Sequence, residues 1–198
     1  MSIYIVNFGF KLPNDVEFIN TTSRSNNWSV GLSPFYVGPV NVYDGSKSVN
    51  MENLWQYSKV YPDMIDDNGE PSSKYFEWAK SGWSKKRADR YPMGRNAKPL
   101  YSYWNGEKLG YVEARKKIYV PLYAEAVIKT DAFKRLKQVY NNCFEQNKTL
   151  YLIDFDAHNI PPNMRDYKNL LNNPNIKFGH AYVLGMLLEG ELENALEC

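Results

Sequence analysis

The chain has 198 residues, 43% of them apolar, which suffices for one sizeable core and excludes a disordered tail. The net charge of +2 by itself points to no partner, but its distribution does: eleven basic residues stand against three acidic ones between Lys80 and Lys117. Beyond Leu188 the charges are Glu189, Glu191, Glu193 and Glu197. Sixteen tyrosines and five tryptophans favour polar pockets and interfaces, since both side chains bury area while keeping a polar handle. The abundance of Asn, Tyr, Lys and Ile suits an AT-rich genome such as that of a phage or a low-GC bacterium. Cys143 and Cys198 make neither a disulfide framework nor a metal site. Residues 1–10 lack the basic start and apolar run of a signal peptide, and no stretch has the ~20 apolar residues of a membrane span. The expected compartment is a reducing cytoplasm, a host's if the source is a phage.

In chain order, residues 2–10 and 16–22 read as strands, rich in β-branched and aromatic residues. Pro34, Gly38 and Pro39 make the next stretch extended and broken, and Asp44-Gly45 signals a turn. Ser48 or Asn50 caps a helix in which Met51, Leu54, Trp55 and Ser58 form the buried stripe. The same helix is expected to carry Glu52, Gln56 and Lys59 at i, i+4 and i+7, along one face. A carboxylate, an amide and an ammonium so aligned can bind and polarise a small polar ligand, or form a solvated face with an ordinary side-chain pair. Ser72 is expected to cap a helix reaching about Ala88, with Tyr75, Phe76, Ala79 and Trp83 on one face and Lys85-Lys86-Arg87 in its second half.

Residues 91–111 read as an irregular loop that combines Arg95 and Lys98 with Tyr101, Tyr103 and Trp104, the combination that phosphates and stacked bases require. Equally, its aromatics can tuck onto a core. Residues 113–129 read as a helix that Pro121 kinks or breaks. Thr130 is an N-cap for a further helix with Phe133, Leu136, Val139 and Tyr140 at core spacing. Residues 148–155 form the clearest buried strand, running into Asp154 and Asp156 with His158 just after. Acidic residues at a strand end are fixed yet accessible, although such residues also commonly serve in turns. No phosphate-binding Gly-rich loop and no Ser nucleophile elbow occurs.

These residues together resemble the NADAR family of N-glycosidases, which act on ADP-ribosylated guanine and related ribosyl compounds. The resemblance rests on Leu32, Ser33 and Phe35, then Asp44-Gly45, then Glu52, Gln56 and Lys59. Weaker support comes from a helix pair over 115–140, a strand ending in an acidic residue, and a Gly-x-x-x-Leu-Gly-x-x-Leu-like run from Phe178-Gly179-His180 to Leu188. It implies an α+β fold, a single NADAR-like domain over 1–198 with several helices around a small sheet. It implies hydrolysis of a ribosyl–base bond, with Glu52, Asp154 and Asp156 as catalytic candidates. Ser33, Phe35, Gln56, Lys59, Arg95, Lys98, Tyr101, Tyr103, Trp104, Gly179 and His180 are the substrate-binding candidates. No metal or cofactor is called for, and the partner is a nucleotide or an ADP-ribosylated nucleic acid. The chain departs from the family pattern at Ala126-Val127, where Lys-Phe is usual, at Ala157-His158-Asn159, where Trp-Gly is usual, and in the aromatic basic loop within 91–111, which against that pattern is an insertion. The alternative is therefore a catalytically silent relative that binds a nucleotide or nucleic acid, or a phage-type inhibitor of a host protein.

Overall fold

The structure is a computed structural model that describes residues 2–197; Cys198 lies outside them. It is a mixed α/β protein of helices and small sheets. Strands β1 (Ile3–Asn7) and β2 (Glu17–Asn20) precede a 3-10 turn at Trp28–Leu32. The hairpin β3 (Val40–Asn41) and β4 (Lys47–Ser48) leads into α1 (Met51–Tyr57), β5 (Lys59–Val60) and α2 (Ser73–Trp83). Then come β6 (Tyr101–Trp104), β7 (Glu107–Leu109), α3 (Tyr111–Ala114), a π-helical turn at Arg115–Tyr119, and α4 (Val120–Val127). The chain ends in α5 (Asp131–Glu145), β8 (Leu150–Asp154), α6 (Tyr167–Asn172), α7 (His180–Glu189) and α8 (Leu192–Leu196). Among the described residues no helix is long and apolar enough to cross a membrane.

These elements divide into two compact units: residues 2–33 with 127–197, and residues 34–126. The first unit is built on a parallel sheet in the order β1-β8-β2, with Asn7 opposite Asp154 and Asn20 opposite Ile153. The central strand is the apolar LYLID run read from the sequence, and burial on both faces explains its lack of alternation. Helix α7 is buried from His180 to Met186, and Gly185 lets it approach closely, since a Cβ there would lie 2.3 Å from the Tyr167 hydroxyl. Thr130 caps α5 as expected, its hydroxyl accepting from the Phe133 amide, and Phe133 and Leu136 turn inward.

In the second unit α1 and α2 cross closely at Gly82, where a Cβ would fall 2.0 Å from the Tyr57 ring. Tyr75, Ala79 and Trp83 of α2 are buried as their spacing requires, but Phe76 is exposed. Helix α2 stops at Trp83 rather than near Ala88, so Lys85-Lys86-Arg87 lies outside it. The expected loop over 91–111 is irregular only as far as Leu100. Beyond it Tyr101, Tyr103 and Trp104 belong to a hairpin, closed by Asn105 and Gly106 at φ +46° and +87° and joined to β5. An Asn-Gly pair tolerates two successive positive φ values, which suits a tight two-residue turn. Pro121 does not break its helix. It lacks an N–H, and its ring would clash with the Lys117 carbonyl in regular α geometry. The chain widens instead into the π turn, where the Val120 amide reaches back five residues to the Arg115 carbonyl.

Candidate functional site

In the second unit a line of polar side chains starts on α1 and ends just beyond it. Asn50 caps this helix, its side chain accepting from the Asn53 amide 2.8 Å away, and Glu52 sits in the first turn. Glu52 is 8% exposed. The Gln56 amide nitrogen donates to Glu52 Oε1 at 2.9 Å, and Lys59 Nζ donates to Gln56 Oε1 at 2.7 Å. A carboxylate accepts and an ammonium donates, so the two neighbours together fix which way the Gln56 amide points. Lys59 is not in the helix: α1 ends at Tyr57, and Lys59 opens β5. The face expected from helical spacing is therefore completed by a strand residue. Burial pulls the Lys59 ammonium down to about 8 from an ordinary 10.5, and the Glu52 carboxylate resists that pull.

Aromatic rings border this chain of polar groups. Lys59 Nζ lies 5.0 Å from the centre of the Trp55 ring. Trp55 packs against Tyr119 at 5.2 Å and Tyr111 at 6.5 Å, and the Arg115 guanidinium covers Tyr111 at 4.1 Å. Trp55 is half-buried on the polar side rather than part of the buried stripe, whose places go to Met51, Leu54 and Tyr57. Arg115, 1% exposed, and Tyr119 both lie on the π turn, an irregularity frequent at functional sites. Sequence reading counts Arg115 only as one of a basic cluster. Its signal was a single Arg among Val112, Ala114 and Ile118 ahead of a mid-helix proline.

The remaining candidates of the second unit are spread out. Phe35 is half-buried, and Arg95 and Lys98 are exposed. Tyr103 packs against Tyr43, Tyr75 and Phe76, and Trp104 against Tyr43. The Tyr101 hydroxyl donates to the Gly69 carbonyl. These three rings are hairpin and cluster residues, not members of a free stacking loop.

In the first unit Ser33 is buried, and its amide closes the 3-10 turn on the Val30 carbonyl. Asp154 ends the central strand, where parallel sheets commonly place functional groups. Its Oδ2 accepts from the Ala181 amide at 2.9 Å and lies 3.1 Å from His180 Nδ1. His180 Nε2 lies 2.8 Å from the Thr21 carbonyl, so both ring nitrogens face acceptors. Asp154 thus fastens the first turn of α7 to the sheet. Gly179 is needed there because a Cβ would lie 2.3 Å from Asp154 Oδ2. Asp156 is more open and lies 3.5 Å from Lys177 Nζ. A cavity of about 660 Å³ in the same unit contains none of the expected site residues. One side is formed by Arg165, which binds the Glu189 carboxylate and the Ile3 carbonyl, and by Tyr167, which donates to Glu189.

No curated protein matches the chain. No solved structure matches it either. A family model does match, over residues 6–173, a span that takes in every candidate named above except Gly179 and His180. The chain belongs to that family, the family of unknown function DUF6939.

Proposed function

We propose that this protein is an N-glycosidase-like hydrolase that cleaves a ribosyl–base bond, as in ADP-ribosylated guanine or a related nucleotide. The observation that carries the reading is the hydrogen-bonded chain Glu52–Gln56–Lys59 on one edge of α1, bordered by Trp55 and Tyr119. Cleaving a ribosyl C1′–N bond builds positive charge on the sugar. A carboxylate held out of bulk water stabilises that charge or activates the attacking water. Glu52 takes this role. Gln56 holds the carboxylate in place, Lys59 supplies positive charge for a phosphate, and Trp55 offers a stacking face. Asp154 is occupied with the Ala181 amide and His180, which leaves Glu52 as the leading carboxylate. The test is mass spectrometry of protein incubated with ADP-ribosylated guanine in single-stranded DNA and, separately, with free nucleotides. Release of ADP-ribose or free base, lost in Glu52→Gln at an unchanged melting temperature, supports the reading; wild-type turnover by that variant rejects it.

The second reading is a catalytically silent binder of a nucleotide or nucleic acid, or an inhibitor of a host protein. It is favoured by the exposed basic segment between α2 and β6. Intact substrate together with a ligand-induced rise in melting temperature selects it.

A further inference from the structure

Among the eleven basic residues of the middle region, two sets of four stand apart. Lys85 pairs with Asp89, Lys108 with Glu70, and Lys117 with Glu107, while Arg115 is buried over Tyr111. Lys86, Arg87, Arg95 and Lys98 are exposed, and no carboxylate of the described residues lies within ion-pair distance of them. All four fall in the irregular segment that joins α2 to β6.

That segment is irregular but fastened. Asn53 of α1 is 0% exposed and spends its whole side chain on it. Its Nδ2 donates to the Lys85 carbonyl at 2.9 Å and the Arg87 carbonyl at 3.1 Å, and its Oδ1 accepts from the Asp89 amide at 2.8 Å. Tyr57 adds a hydrogen bond to Asp89, and the far end is tied by the Leu100 amide to the Val60 carbonyl. The backbone is therefore held by its own polar groups, and the basic side chains are left to solvent. Midway, the guanidiniums of Arg90 and Arg95 lie 5.4 and 5.6 Å from the centre of one ring, Tyr91, which is 42% exposed. No more than about 11 Å separates the two guanidinium carbons.

We propose that residues 86–98 form a docking track for single-stranded nucleic acid. Lys86, Arg87, Arg95 and Lys98 contact successive phosphates, and the Arg90–Tyr91–Arg95 cluster supplies a stacking platform for an unpaired base. A backbone fastened beforehand loses little conformational freedom on binding, and the uncompensated cations it carries suit a polyanion. The exposed ring among them separates a strand with free bases from an acidic peptide. The segment is not helical and presents no apolar face on which to lie in a membrane. This inference deepens the second reading above and is independent of the glycosidase reading, and its test is read without any cleavage.

The test is fluorescence anisotropy with a labelled mixed-sequence oligonucleotide of about 20 nucleotides, as DNA and as RNA, with the duplex and poly-glutamate as competitors. About four phosphate contacts give a slope of log K against log salt near −3, so binding weakens roughly 50-fold between about 50 and 200 mM salt. The Lys86→Glu/Arg87→Glu double variant should weaken binding at least tenfold and flatten the slope. Tyr91→Ala should weaken it severalfold at an unchanged slope. Lys134→Ala, on α5, should change neither. The double variant should melt at the wild-type temperature, because Asn53 holds the backbone carbonyls of this segment and not those side chains. The proposal is overturned by failure to bind either oligonucleotide at low salt or by unchanged binding in the double variant. Competition by duplex as effective as by single strand also overturns it. Stronger competition by poly-glutamate would point to an acidic protein partner instead.

Discussion

Lys59 Nζ meets Gln56 Oε1 at 2.7 Å although the helix that carries Gln56 has already ended between them. The Ser58 amide still bonds to the Leu54 carbonyl, and the chain then turns into β5, so the lysine stays on the side of the helix from which Gln56 projects. The half-buried ammonium is consequently held against a neutral amide, with the Glu52 carboxylate one residue further along the chain of hydrogen bonds.

The depressed Lys59 titration has a stability signature. Between about pH 8 and 10.5 the unfolded chain holds a proton on Lys59 that the folded chain has released, so folding gains stability as pH rises through that window. Lys59→Met removes this contribution. The stability difference between the variant and the wild type should therefore shift in favour of the wild type by on the order of 1–3 kcal/mol from pH 7 to 10.5. Urea denaturation at a series of pH values measures it. A constant difference would mean that Lys59 is as well solvated folded as unfolded.

Gln56→Leu leaves the Glu52 carboxylate and the Lys59 ammonium without the amide that joins them. The expected loss is about 1–3 kcal/mol, the cost of under-satisfied polar groups in a poorly hydrated place. Gln56→Glu sets two carboxylates side by side and should become less destabilising as the medium is acidified toward pH 4, where one of them takes a proton. Denaturation midpoints of both variants at pH 7 and near pH 4 distinguish the two effects.

Asn53→Ala withdraws three hydrogen bonds from the backbone of residues 85–89 at once. We expect a loss of about 2–4 kcal/mol together with faster amide exchange across 84–92. Asn53→Asp restores only the acceptor and places a charge against two carbonyls, so it should be no better. Exchange confined to the wild-type rate would mean that Tyr57 and Lys85 hold the segment alone.

Gly179→Ala drives a methyl group into Asp154 Oδ2, which also receives the Ala181 amide. Neither the sheet nor α7 can shift freely, and the variant should lose about 1–3 kcal/mol. Asp154→Ala should cost at least as much, since it takes from the Ala181 amide and the His180 ring the carboxylate oxygen that both contact. If Asp154 were a poised catalytic group with little structural duty, its removal would leave the melting temperature near that of the wild type.

The local signals in the sequence were strong wherever one residue type decides the backbone. Asp44-Gly45 turns a hairpin, with Gly45 at φ +84°, Asn50 and Thr130 cap helices, and residues 150–154 form the central strand. These features depend on neighbours within a few positions, so spacing alone reveals them. The Glu52–Gln56 pair was legible too, because side chains four apart on a helix must meet, whereas Lys59 joins them from β5, beyond the end of the helix. Tertiary packing decided the rest. The end of α2 at Trp83 follows from a backbone claimed by Asn53, thirty-odd residues earlier in the chain. Tyr101, Tyr103 and Trp104 became hairpin residues because β5 offered its edge to β6. Asp154 was fixed by an amide and an imidazole from residues 180 and 181. Sequence periodicity registers which face a residue shares with its near neighbours. It carries no information about which distant backbone group will compete for a buried Asn or Asp, and that competition settled which polar residues were left over for chemistry.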